Sequence, residues 1–414
     1  MQLSRDQEKA LEALRGKGNV YLTGRAGTGK STVLRAFIAS ADPEEIVVLA
    51  STGAAAVLVG GRTFHSFFGL GIMEGGIAKT VERALKNPHL KRRLKRTSTV
   101  IVDEISMLSG DTLACAEEIA RSARKSAEPW GGLRFIAVGD FAQLPPISRD
   151  RNTTDWAFQH EVWARTNFTS VALDIVHRSK SPEWTQALND VRDGICSEAV
   201  KKILNGRMNR ESPDELTRLF GRRDEAERYN QERLAALPDE PIAYTTDYRG
   251  DPGSIAQLKR YSPVPDVLVL KTDALVMIRK NETNGLYVNG SLAKVRSYRK
   301  DRVTVELIDG GNTVDLEPMK FELLSAEGEV TATAKNFPLN LAYGSTIHKA
   351  QGATLDTVRM RLAGLWEAGQ AYVALSRVPH PDRLFLDSWD ERSIRADVDV
   401  LFFHASLPQM DPVL

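Results

Sequence analysis

The sequence predicts an α/β fold made of two wound βαβ domains, and three observations predict it. Through the first 165 residues, short runs rich in Val, Ile and Leu alternate with helical patterns. The same texture returns between Pro338 and Ser388, after a β-rich island. A glycine-rich turn follows the first apolar run directly, as in a phosphate-binding βαβ unit.

In chain order, the runs are "NVYLT" (19–23), "EIVVLAS" (45–51), "STVIVDE" (98–104) and "LRFIAVGD" (133–140). They are nearly continuous rather than alternating, as expected of strands buried on both faces of a parallel sheet. The segments "TVLRAFIAS" and "DTLACAEEIARSARKSA" between them read as helices. The pattern resumes with "TRLFG" (217–221). Short alternating runs then follow, from "LVMIRKN" onward, with Asn-Gly and Asp-Gly-Gly turns. Such turns signal hairpins and place a small β insertion at about 283–335. The expected division is 1–165 and 166–414.

The 414 residues suffice for two or three domains. With 42% hydrophobic and 26% charged residues, the composition is that of a soluble globular protein. No run approaches the length of a membrane span, and the N-terminus lacks the apolar region of a secretion signal. Cys115 and Cys196 lie far apart without metal-ligand spacing, so zinc is not expected. Lys and Arg number 55 against 54 Asp and Glu, a net charge of +1 that neither supports nor excludes a nucleic-acid partner. The most basic segment, "LKNPHLKRRLKRTS" (85–98), reads either as the solvated face of a short helix or as a phosphate-contacting edge.

Gly24-x-x-x-x-Gly29-Lys30-Ser31 fits the P-loop pattern, with a strand before it and a helix after it. Gly24, Ala26, Gly27, Thr28 and Gly29 supply backbone that turns N–H groups toward phosphate oxygens. The helix carrying Ser31 and Thr32 aims its positive dipole end at the same anion. Lys30 is expected to reach the β- and γ-phosphates of ATP, and the Ser31 hydroxyl to ligate Mg²⁺. Asp103 closes a strand where it can hold the same Mg²⁺, and Glu104 can deprotonate an attacking water. Gln143, in "GDFAQLPP" (139–146), follows another core strand and can report on the γ-phosphate.

These segments resemble the motifs of superfamily-one, group-B helicases, specifically the PIF (petite integration frequency) family related to RecD and Dda. "GRAGTGKS" looks like motif I, and "STGAAA" with "GRTFHSFFGL" is similar to motif Ia. "VDEISM" resembles motif II and "GDFAQLPP" motif III. "VHRS" takes the place of motif IV, while "LAYGSTIHKAQGATL" and "AYVALSR" are similar to motifs V and VI. The resemblance runs from residue 4 to about 388. Ser179 departs from the family's usual Gln, and Ala293 from its usual second glycine.

The resemblance implies two RecA-like P-loop domains, a wedge subdomain at about 63–98 in the first and a β-barrel at 283–335 in the second. Gln7 would read the adenine, and Arg178 and Arg377 would act as arginine fingers across the cleft. DNA contacts would come from Thr63, Phe64, His65, Ser66 and Pro146 in the first domain. The second would contribute Ser345, Thr346, His348 and Lys349. The implied activity is ATP-dependent 5′–3′ translocation on single-stranded DNA, with unwinding of forked or tailed duplex by a monomer. A cytoplasmic location is expected, on the nucleoid if bacterial. An RNA-directed or protein-stripping motor of the same architecture, and a nucleotide-gated binding module, are the alternatives.

Overall fold

The computed structural model describes residues 3–42, 45–51, 62–71, 73, 75–146, 153–211, 216–280, 282, 286–287, 289–324, 329–352, 355 and 357–407. The "TGAAA" part of the expected motif Ia lies outside them, as do pieces of the β island.

Six parallel strands form the first sheet: β1 (Val20–Gly24), β2 (Ile46–Ala50), β3 (Arg62–Thr63), β4 (Thr99–Asp103), β5 (Arg134–Val138) and β6 (Thr169–Leu173). Their order is β3-β2-β4-β5-β1-β6. Because side chains alternate along a strand, each strand feeds two cores. Val20, Leu22, Ile101, Ile136 and Val138 face helices α1 (Arg5–Arg15) and α2 (Lys30–Ser40). Tyr21, Val100, Val102 and Phe135 face the other way. On that side lie α3 (Phe64–Phe68), α4 (Gly76–Leu85), α5 (Pro88–Arg96) and α6 (Gly110–Arg124).

A division at residue 165 falls one strand short. β6 pairs with β1 from Val20–Thr169 to Gly24–Leu173, so this segment completes the first sheet. Helix α7 (Pro182–Arg192) follows, with Trp184 and Leu188 buried in the shared core.

The second parallel sheet begins with β7 (Thr217–Phe220) and is then interrupted by antiparallel strands. β8 (Ile242–Thr245) pairs with β10 (Val267–Leu270). β9 (Asp247–Gly250) joins β15 (Met319–Leu324) through β16 (Val330–Asn336). β11 (Leu275–Ile278), β12 (Leu292–Tyr298), β13 (Val303–Leu307), β14 (Thr313–Leu316) and β17 (Leu339–Leu341) make a five-stranded sheet. Leu268, Val276, Val295, Val305, Phe337 and Leu339 share one core beneath these sheets. The β region therefore runs from Ile242 to Leu341, beyond the expected 283–335 at both ends. Its early strands, "IAYT" and "DYRG", are half-exposed and too polar to stand out.

β18 (Gly344–Thr346), β19 (Val358–Arg361) and β20 (Leu384–Ser388) complete the second sheet in the order β18-β7-β19-β20. Between them lie α8 (Ile347–Ala350) and α9 (Gln370–Leu375). The last helix, α10 (Val398–Ser406), returns to the first sheet. Its Phe403 stacks on Phe158 at 4.3 Å and meets the Phe141 and Trp163 rings. A single apolar core thus spans both halves.

Trp130 anchors the first half. It is fully buried, stacks on Phe135 at 4.1 Å, and donates from its indole N–H to Thr166 Oγ1 at 2.8 Å. Trp130→Ala should cost about 3–5 kcal/mol, read as a lower denaturant midpoint. A loss below about 1 kcal/mol would mean that the cluster does not carry the core.

Candidate nucleotide site and nucleic-acid interface

The P-loop geometry follows from its glycines. Gly27 and Gly29 adopt φ of 83° and 88°, and Gly29 precedes the first residue of α2. A Cβ on Gly27 would lie 2.5 Å from the Arg178 Cβ, so the close approach of these segments requires glycine. Lys30 Nζ donates to the carbonyls of Gly24 (2.7 Å) and Arg25 (3.3 Å). Burial lowers its pKa, while Asp140, Glu104 and Asp103 oppose that shift. Ser31 is exposed and Thr32 half-buried in the first turn of α2. Gln7 is buried and spans to the loop, donating from Nε2 to Thr28 O at 3.1 Å.

The loop is also held from the far half of the chain. The N–H of Ala26 donates to Tyr372 Oη at 2.7 Å, across 346 residues of sequence. Arg178 brings a second tie. Its backbone N–H donates to Gly27 O (3.3 Å), and its Nη1 donates to Ser376 O (2.7 Å). Arg377 is buried and donates from Nε to Val373 O (2.7 Å) and from Nη1 to Ala350 O (3.2 Å). Burial, then Arg178, pushes its pKa down to about 9. The two expected arginines therefore converge.

Asp103 ends β4 and accepts the N–H of Glu104 at 2.9 Å. Burial, followed by the Glu104 charge, raises its carboxyl to about 7, against the pull of Lys30. Among the described residues no cation pairs with it. A half-buried carboxylate with no ion-pair partner among the described residues suits Mg²⁺, a hard cation that takes oxygen ligands. Among the described residues no group of three Asp, Glu, His or Cys side chains is placed to hold a metal ion. Glu104 sits at φ 54°, a left-handed conformation that turns it off the strand end. Its Oε2 accepts from Gln351 Nε2 at 3.0 Å. Gln351 follows α8 directly, so the expected water-activating carboxylate touches the second half of the chain.

The two expected nucleic-acid sets share a local plan. Thr63 ends β3 and accepts the N–H of Ser66 (3.0 Å), starting α3. Thr346 ends β18 and accepts the N–H of Lys349 (3.1 Å), starting α8. His65 and His348 each follow that threonine by two residues, half-buried, and burial lowers both pKa values. Ser345, Thr346 and Lys349 line a cleft of about 450 Å³ with Lys259, Arg279 and Asn230. The buried Nε of Arg279 has no hydrogen-bond partner among the described residues, so a phosphate oxygen would satisfy it.

Phe64 does not fit a stacking role. It is fully buried against Phe68 at 4.8 Å and Phe135 at 6.5 Å, because the apolar side of α3 packs into the core. Pro146 is also buried, which removes it from an exposed track. Gln143 is buried, with its N–H donating to Asp140 O at 3.0 Å.

Sequence reasoning missed the group around Asp140. This buried carboxylate accepts from Arg192 Nη2 at 2.9 Å and lies 3.6 Å from His404 Nε2 and 3.5 Å from Tyr372 Oη. Arg192, then His404 and Lys30, outweigh burial and hold its pKa at about 2. Asp140 and Tyr372 both lie inside the motifs already singled out, but Arg192 and His404 carry no local signal. Burial and Arg192 push His404 down to about 4, against the attraction of Asp140. The unfolded chain therefore takes this proton first as pH falls, and stability is lost between about 6.5 and 4. His404→Gln removes that penalty. Relative to the native chain, the variant should gain on the order of 2 kcal/mol in unfolding free energy between pH 7.5 and pH 5. A constant difference across that range would contradict the assignment.

Over residues 2–214 the chain matches the PIF1-like helicase family. It is 45% identical over 405 residues to the ATP-dependent DNA helicase Pif1 of Bdellovibrio bacteriovorus, covering 98% of this chain and 92% of that one. The PIF1 helicase of Danio rerio, 34% identical, is longer, and the chain spans 64% of it. Among solved structures, the Pif1 helicase from Candida albicans superposes with a TM-score of 0.83 at 31% identity, covering 99% of this chain and 100% of that one. Bacteroides sp. Pif1 in complex with ADP-AlF4 gives 0.85 at 27% identity, covering 98% and 97%. The two parallel sheets are accordingly those of two RecA-like domains. The chain belongs to the PIF1-like helicase family.

Proposed function

We propose that the chain hydrolyses ATP, with Mg²⁺, in the cleft between its two RecA-like domains. The cycle drives 5′ to 3′ translocation along single-stranded DNA and separates duplex ahead of the motor. The contact between Glu104 and Gln351 carries this reading. It ties the water-activating carboxylate of the first domain to the segment that immediately follows Thr346–Lys349 in the second. Hydrolysis and strand grip thus share one hydrogen bond. We take the first domain to close after β6 and the second to start near β7, with the β region from Ile242 to Leu341 inserted in it.

In this scheme the inward N–H groups of the P-loop and Lys30 hold the β- and γ-phosphates, and Gln7 flanks the adenine. Ser31 and Asp103 would hold Mg²⁺, which supplies charge neutralisation at the phosphates when bound. Glu104 takes the proton of the attacking water, with Gln143 beside the γ-phosphate. Arg178 and Arg377 stabilise the charge that develops on the transferring phosphoryl group, and they do so only when the cleft is closed. Thr63, His65 and Ser66 grip strand phosphates in one domain, and Ser345, Thr346, His348 and Lys349 in the other. Two grips that alternate as the cleft opens and closes move the chain along the strand. A single copy holds every group named, so a monomer suffices, acting in the cytoplasm and on the nucleoid in a bacterium.

The test is strand displacement on duplexes carrying either a 5′ or a 3′ single-stranded tail, with ATP and Mg²⁺. Only the 5′-tailed duplex should open. Glu104→Gln should lower ATP turnover by about 10²–10⁴-fold while nucleotide binding persists. Lys30→Ala should abolish both turnover and displacement. Displacement from the 3′ tail alone would overturn the polarity, and full turnover in both variants would overturn the site.

A further inference from the structure

We propose that the exposed face of α5 grips the phosphate backbone of the duplex that the motor is opening, an inference that rests on the helicase reading above. Charge is concentrated there. Residues 63–98 carry eight Lys and Arg against two Glu, a net of +6 in a chain whose total is only +1. Four of the eight, Lys91, Arg92, Lys95 and Arg96, stand exposed on α5. Among the described residues, none of the four meets a carboxylate. Their spacing puts Lys91 above Lys95 and Arg92 above Arg96, one turn and about 6 Å apart along the axis. The result is a two-by-two array of cations on one face.

Holding this array in place takes several contacts. Asn87 caps the helix, accepting the N–H groups of His89 (2.9 Å) and Leu90 (3.3 Å), and Leu90 and Leu94 are buried beneath it. The fifth cation, Arg93, turns inward instead. Its Nε donates to Phe67 O at 3.1 Å, and its guanidinium lies over the Phe67 ring at 5.1 Å. From behind, Arg124 Nη1 donates to Leu94 O (2.5 Å) and Thr97 O (3.2 Å). The array is thereby fixed to α3, the helix that carries His65 and Ser66. Mutual repulsion among four exposed cations is a cost that this packing opposes, and an anionic partner would relieve it.

The ligand chemistry is a phosphate backbone rather than a base surface. Single-strand sites interleave cations with exposed rings on which bases stack. Here Phe64, Phe67 and Phe68 are all buried, and the exposed face of α5 carries four cations against one ring, His89. Duplex DNA presents one phosphate charge per about 1.7 Å of axis, dense enough to engage four cations together.

The experiment compares the native chain with Lys91→Ala, Arg92→Ala, Lys95→Ala and Arg96→Ala combined. Each is titrated without nucleotide against a blunt duplex and against a single-stranded oligonucleotide over a salt series. Duplex affinity should fall at least about 10-fold in the variant, and the slope of log K against log salt should shallow by about 3–4. Single-strand affinity and single-strand-stimulated hydrolysis should hold. A second variant, Arg92→Lys with Arg96→Lys, should retain duplex binding, since contact with phosphates needs charge and not a guanidinium fork. Unchanged duplex binding would overturn the proposal, as would an equal loss on both ligands. Failure of the native chain to displace strands would overturn the motor reading instead, because the binding arm needs no ATP.

Discussion

The hydrogen bond from the Ala26 N–H to Tyr372 Oη is the constraint on which the site's arrangement depends. A P-loop presents several inward N–H groups, and a buried one must find a partner. Here the partner sits on α9, the helix that leads into Arg377. The same hydroxyl lies against Asp140, whose charge is held by Arg192 from α7 and faces His404 from α10. One phenol thus joins the glycine-rich loop, the strand end that carries the third motif, and the helix that leads into Arg377.

Around that joint the two halves meet through hydrogen bonds and a continuous apolar core. Arg178 spans Gly27 and Ser376, Gln351 reaches Glu104, and Phe403 stacks across the seam. Apolar burial supplies adhesion without direction, whereas the hydrogen bonds fix geometry. A cleft built this way can change its polar contacts when nucleotide arrives while the rest of the core stays packed. That division suits a motor, in which small shifts at phosphate must become movement at the track.

Much of this was legible in the chain. The four apolar runs coincide with β1, β2, β4 and β5 to within one or two residues, because strands buried on both faces read as continuous hydrophobic stretches. β6 escaped, since its Thr169 and Ser170 are exposed or half-exposed at a sheet edge and interrupt the pattern. The antiparallel region was found by its turns and missed where its strands are short and polar. At the site, the P-loop, Asp103 and Glu104 came from spacing and position along the strands, whereas the two arginines came only from the family resemblance. Phe64, named among the implied DNA contacts, lies in the core, and a run of aromatics does not reveal which side of a five-residue helix is buried. Tyr372, Arg192 and His404 act through partners 50 to 350 residues away in rough terms, and no local pattern encodes such contacts.

The proposal rests on coupling between Glu104, proposed to activate water, and the segment Ser345–Lys349, proposed to grip the strand. The direct measurement is the rate of ATP hydrolysis with and without single-stranded DNA, in the native chain and in Gln351→Ala. The account predicts that DNA accelerates the native chain, and that the variant keeps its basal rate while losing most of that acceleration. An undiminished response to DNA in the variant would contradict it.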